Sequence, residues 1–236
     1  MRIDAQELGQ SDNRLVDFYA IERALGRQDP RSLDLINAFI GLSPDWEAFE
    51  GGRNATWLQQ LADLEQRLTD GGSAWTIDHD LRGLFRRVDQ TQVDARRAAE
   101  ASATTAGRSD AASYLQAAWR HAFGMDPDPS AAYGEAVRAV EAAAIPVVSP
   151  NNGRATLGTV IRDVRNQPWL LVLVDVNDAP GDAGPFVEML NCLWQGQRSR
   201  HAGGASTRPQ TQSEAEAAVQ LAVLAVQWFT REIVYK

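Results

Sequence analysis

The chain has 236 residues with a formal charge of −8, from 23 basic and 31 acidic side chains, and 44% of it is hydrophobic. That apolar fraction, together with seven tryptophans, excludes an intrinsically disordered chain, and the length gives one or two domains with a real core. The negative balance argues against a protein that coats nucleic acid indiscriminately. No apolar run reaches the ~18 residues of a membrane span, and the first residues lack the apolar core of a signal peptide. With a single cysteine, Cys192, the reading is a cytoplasmic protein in which Cys192 is a small buried residue.

Charge is unevenly spread. Residues 106–236 carry 13 acidic and 11 basic residues, so the first 105 hold 18 and 12. The small, polar stretch 98–107 reads as a helix end running into a linker. The predicted organisation is therefore an N-terminal region, 1–105, and a C-terminal domain, 106–236.

In the N-terminal region, Leu15, Phe18, Tyr19, Glu22 and Leu25 lie at helical spacing, stopped by Gly26 and Asp29-Pro30. A second short helix covers Leu33 to Ile40. Asn54 is placed to cap a third, striped by Trp57, Leu58, Leu61, Leu64 and Leu68 and closed by Gly71-Gly72. Ser73–Ile77 and Leu84–Val88 are expected to pair as a hairpin around Asp78-His79-Asp80. One histidine between two carboxylates reads as a solvated turn before it reads as a metal site.

The C-terminal domain reads as a helical bundle. Helices are predicted from Asp110 to Phe123, from an Asp128 cap with Pro129 at the first position to Pro146, and from Ala155 to about Asn166. Trp169–Val176 is a short strand or a buried connection. A helix from Pro185 to Gln195 follows, and Thr211-x-x-Glu214 is a capping-box pattern before the last helix. That helix is apolar on nearly all sides from Ala217 to Phe229, which places it at a bundle centre or a subunit contact.

Between Glu188 and Glu214 there is no acidic residue, while Arg198, Arg200, His201 and Arg208 crowd into eleven positions beside Gly196, Gly203 and Gly204. Such a segment suits a phosphate or another anion; the other reading is an interhelical loop whose arginines pair with carboxylates. Glu141, one turn from Val137 and Ala144, sits at the edge of an apolar face, where it needs a partner such as Arg200 or His201. Arg138, three residues from both Glu135 and Glu141, competes for the same carboxylate.

Four segments in order carry a resemblance: Tyr133 to Ala142 (YGEAVRAVEA), Ala155 to Val160 (ATLGTV), Gln197 to Gly204 (QRSRHAGG) and Glu214 to Phe229. Over roughly residues 110–230 the chain resembles the C-terminal domain of abortive-infection proteins, a member of the HEPN (higher eukaryote and prokaryote nucleotide-binding) group. The resemblance implies a mainly α protein with a HEPN-like helical bundle. It further implies homodimerisation, a role in phage defence or a toxin–antitoxin system, and metal-independent ribonuclease activity or RNA or nucleotide binding. Arg200 and His201 would carry the chemistry with Glu141 orienting them, Arg198 and Arg208 would hold phosphate, and no cofactor or metal is called for. The arginine directly precedes the histidine here, and no arginine precedes any histidine by the four to six intervening residues usual in the group. The alternative is a non-catalytic dimeric interaction module in which these residues form a structural ion-pair hub and the last helix is the dimer seam.

Overall fold

The computed structural model describes residues 32–41, 53–175, 177–197 and 207–236. Among them are eight helices and five short strands, divided into two compact units, Met1–Arg87 and Val88–Lys236. The predicted helix around Leu15–Leu25 lies outside the described residues.

In the first unit, helix α1 (Ser32–Gly41) buries Ile36, Phe39 and Ile40. Helix α2 (Arg53–Asp70) ends in the glycine pair, where Gly72 takes φ +64°. Ser73 N–H bonds Leu68 C=O (2.9 Å) and Gly72 N–H bonds Thr69 C=O (3.0 Å). These two bonds satisfy the last carbonyls of α2 in a Schellman turn. Asn54 does not cap this helix, which begins one residue earlier at Arg53. Strands β1 (Trp75–Asp78) and β2 (Gly83–Arg86) form the expected antiparallel hairpin, with Asp78 opposite Gly83. The Asp78 carboxylate, itself buried, accepts from the N–H groups of Asp80 and Leu81 and so shapes the turn. Asn37 of α1 accepts from Leu84 N–H at 2.8 Å, which ties helix to hairpin over the buried Ile77, Leu81, Leu84 and Phe85.

The second unit begins earlier than composition places it. Residues 98–105 complete helix α3 (Gln90–Thr105), whose Ala99 and Ala103 are fully buried, and only the turn at Ala106-Gly107 interrupts the helical path. Helix α4 (Ser109–Phe123) follows. Helix α5 (Pro129–Val148) starts at the predicted cap, with the Asp128 carboxylate accepting from Ala131 N–H at 2.9 Å. It does not stop at Pro146 but runs two residues further. The proline removes the N–H that would reach Ala142 C=O and its ring crowds that carbonyl, a cost that α5 accepts within its last turn. Nearby, Arg108 Nη1 donates to Ala143 C=O (2.9 Å) and to Phe229 C=O (3.0 Å).

Helix α6 (Leu157–Arg165), strands β3 (Leu170–Val174) and β4 (Pro180–Asp182), helix α7 (Gly184–Gly196), helix α8 (Gln212–Thr230) and strand β5 (Val234–Tyr235) complete the unit. The three strands form an antiparallel sheet in the order β4-β3-β5. Helix α8 packs against α3, α4 and α5, so its apolar surface is taken up at the bundle centre rather than held open as a dimer seam. Alanines 132, 136, 139 and 143 of α5 and 215, 218, 222 and 225 of α8 are buried. Their small side chains let the backbones approach closely, and Trp119, Phe123, Phe186 and Phe229 are the largest apolar side chains that are fully buried among the described residues. Cys192 is exposed on α7, correcting its expected burial.

Candidate functional site

Arg198, Arg200 and His201 lie outside the described residues. The structure does describe both ends of their segment and the helices that hold those ends. Helix α7 leads in, and its final carbonyls have no intrahelical donors. Two side chains meet two of them. Tyr133 Oη donates to Leu193 C=O at 2.9 Å, and Gln210 Nε2 donates to Gly196 C=O at 2.7 Å. Gln210, 5% exposed, is held in turn where its own N–H meets Ser130 Oγ at 3.0 Å. Both ends of the segment are therefore fastened to the first turns of α5.

The glycines of this region are packing devices. A Cβ on Gly196 would run into Tyr133 Oη. A Cβ on Gly158, in the first turn of α6, would sit 3.0–3.2 Å from three atoms of the Trp194 indole. Gly158 thus lets α6 and α7 close against each other.

Glu141 also has a structural task. Thr156 occupies the N-cap of α6, but its hydroxyl makes no cap bond. Glu141 Oε1 instead accepts from Leu157 N–H at 2.7 Å, placing a carboxylate at the positive end of the helix dipole. Glu141 also lines an open cleft of about 410 Å³ with Arg108, Asp110 and Pro146. Arg138 does not compete for it; its guanidinium pairs with Glu135 at 2.7 Å.

Arg208 is engaged in the same way. Its Nη1 and Nη2 meet Glu214 Oε2 (2.9 Å) and Oε1 (2.5 Å), a two-point pairing of guanidinium and carboxylate. Glu214 is at the same time the third residue of α8's capping box, accepting from Thr211 N–H at 2.8 Å. The Arg208 bond first, and the Thr211 N–H next, hold the Glu214 carboxyl down from 4.5 to about 2. A carboxyl depressed on folding stabilises the fold above its unfolded pKa and loses that contribution as pH falls through its folded one. Wild type is therefore expected to exceed Arg208→Gln in thermal midpoint at pH 6, with the gap closing between about pH 4.5 and 2. A gap unchanged across that window in calorimetry rejects the pairing. Water screens this largely exposed pair, so the gap is expected to be small.

His79 belongs to the first unit, where its Nε2 lies 3.2 Å from Glu65 Oε2. Among the described residues no group of three or more His, Cys, Asp or Glu side chains is placed to hold a metal. Sequence reasoning missed the roles of Tyr133 and Gln210. The tyrosine was legible only as part of an apolar face, and its hydroxyl partner is sixty residues away.

Comparison with protein-family models, with curated proteins and with solved structures gives no match to this chain. No described helix is long and apolar enough to cross a membrane.

Proposed function

We propose that the Val88–Lys236 unit is a HEPN-like module of a phage-defence or toxin-type protein, binding RNA or a nucleotide phosphate through the segment from Arg198 to Arg208. One observation supports this reading: two of the four resembling segments, Tyr133 to Ala142 and Ala155 to Val160, meet at the end of α7, from which the Arg198–Arg208 segment departs. Tyr133 holds α7, Glu141 caps α6, Gly158 admits Trp194, and Gly196 admits Tyr133. An acid-free, arginine-rich segment leaves and re-enters this framework at fixed points, which lowers the ordering entropy of gripping an anion. In this reading His201 moves the proton at the RNA 2′-hydroxyl or the leaving oxygen, and Arg200 stabilises the negative charge that develops on the non-bridging phosphoryl oxygens. Glu141 acts as a positioning residue through α6.

The test incubates the purified full chain with total RNA, alongside Arg200→Ala, His201→Ala, Glu141→Gln and Glu141→Ala. His201→Ala and Arg200→Ala are each expected to reduce cleavage by about 10²-fold or more. Glu141→Gln keeps an acceptor for Leu157 N–H and is expected to stay near wild type, whereas Glu141→Ala loses about 1 kcal/mol of stability. Cleavage unchanged in both the Arg200 and His201 variants removes those residues from the mechanism.

A second reading, a non-catalytic dimeric interaction module, is favoured by Arg208 and Glu141. Their described partners, Glu214 and the α6 N-terminus, are structural. In that reading Glu141→Ala weakens folding and leaves RNA untouched.

A further inference from the structure

The loop between α5 and α6 contains the one Asn-Gly pair of the sequence, Asn152-Gly153; every other asparagine is followed by a residue with a side chain. An asparagine's amide carbon lies within ring-closing reach of the next residue's backbone nitrogen, and glycine alone leaves that nitrogen unshielded by a Cβ. Three observations make this pair reactive. Both residues are exposed, so water and base reach them. Among the described residues the Gly153 N–H meets no acceptor, and a Cβ built on Gly153 would find nothing within 4 Å, so no neighbour crowds the backbone there. Finally, Asn152 Oδ1 accepts from Arg154 N–H at 3.1 Å in an Asx-turn. That donor sits on the oxygen that turns negative when Cγ is attacked, and stabilises it as an oxyanion hole does. Other candidate pairs lack an open nitrogen. In Asp70-Gly71, the corresponding aspartate pair, Gly71 N–H is bonded to Arg67 C=O at 3.0 Å. Asn177 is followed by Asp178, whose N–H is bonded to Asp175 C=O at 3.2 Å.

We propose that Asn152 is a site of spontaneous modification, converting to aspartate and isoaspartate through a cyclic imide, and that the conversion loosens the entry to α6. The Gly153 nitrogen gives its proton to solvent base and bonds to Asn152 Cγ. The Cγ–Nδ2 bond breaks, and Nδ2 takes a proton from solvent and leaves as ammonia. Water then adds at one of the two imide carbonyls. Opening at Cγ restores the main chain with an aspartate side chain. Opening at the backbone carbonyl carries the chain through Cγ and leaves the old carbonyl as a free carboxylate. Either product gains a negative charge next to Arg154 in the sequence. The isoaspartyl product also adds a carbon to the main chain inside the turn that Ala155 N–H closes on Asn152 C=O at 3.0 Å. That turn leads directly to the Leu157 N–H held by Glu141. The proposal depends on neither the RNA reading nor the interaction-module reading.

The test ages the full chain in mildly alkaline buffer and digests samples with trypsin, which releases Ala139–Arg154 between two arginine sites. Mass spectrometry is expected to show the amide-to-acid mass gain on Asn152 rather than Asn151, in two separately eluting isomers. Its rate is expected to exceed that of any other asparagine about tenfold or more. Gly153→Ala, which has room for its methyl group, is expected to slow the conversion about tenfold or more, with circular dichroism confirming its fold. In the isoaspartyl chain, hydrogen exchange at Leu157 N–H is expected to quicken. No mass gain at Asn152, a single aspartyl product, or a rate indifferent to Gly153→Ala overturns the imide route. Unchanged exchange at Leu157 in the isoaspartyl chain overturns the coupling to α6.

Discussion

Glu100→Ala is expected to lower the stability of the Val88–Lys236 unit by about 3–5 kcal/mol, because it removes one partner of a buried ion pair. Arg96 is 0% exposed, and its Nη1 donates to Glu100 Oε1 at 2.7 Å. Gln116 Nε2 reaches the other carboxylate oxygen at 3.1 Å, and the guanidinium carbon lies 5.5 Å from the centre of the Trp119 ring. Removing the carboxylate takes an acceptor from Arg96 and from Gln116, and takes from the buried guanidinium a charge that offsets its lost hydration. The pair itself is a poor source of net stability, because two ions must be taken out of water to form it. The arginine also precedes the glutamate by four residues, the less favourable order for a helix pair. Arg96→Met with Glu100→Leu is therefore expected to recover most of the loss. Urea unfolding followed by circular dichroism measures both. A single variant within about 1 kcal/mol of wild type shows that water reaches the pair.

The same pair explains why α3 was not legible. Its buried face is Arg96, Ala99, Glu100 and Ala103. Read along the chain these are two charges and two alanines, the composition of a solvated helix end, so residues 98–107 look like a linker. Only the partners on α4 and α8 make them core. Most caps were legible because they are local, Asn54 being the exception, since α2 begins one residue before it. Asp128, Thr211 with Glu214, and Gly71-Gly72 act within a few residues of themselves, and the structure places each as its spacing implies. Glu141 was legible in half. Its place on an apolar face called for a partner, but the Leu157 N–H that it holds is a backbone group, which no residue type announces. Pro146 misled because a proline disfavours a helix without forbidding it, and the buried face of α5 continues to Val148. Leu173 and its neighbours misled differently, since an apolar run is read as buried unless a bulge, a property of strand register, turns it out.

Gly196→Ala carries the second large effect, and it links the packing to the proposed site. The added methyl meets Tyr133 Oη, a group fixed by its bond to Leu193 C=O inside the bundle. Either α7 shifts its last turn or the tyrosine swings away and leaves a buried carbonyl without its donor. Overpacking of this kind costs about 1–3 kcal/mol. Tyr133→Phe alone removes the same donor and is expected to cost about 1 kcal/mol. In the double variant the phenylalanine makes room for the alanine, so the combined loss is expected to fall short of the sum by about 0.5 kcal/mol or more. Additive losses in a double-mutant cycle mean that the two residues do not share the contact. The cycle has a functional arm as well. Gly196 C=O also receives Gln210 Nε2, so displacing it disturbs both ends of the segment that holds Arg198, Arg200 and His201 in the sequence. If that segment grips RNA from fixed ends, RNA binding falls in Gly196→Ala and returns in part when Tyr133→Phe is added. Stability that follows the cycle while RNA binding stays level makes the framework purely structural and leaves the interaction module as the reading that stands.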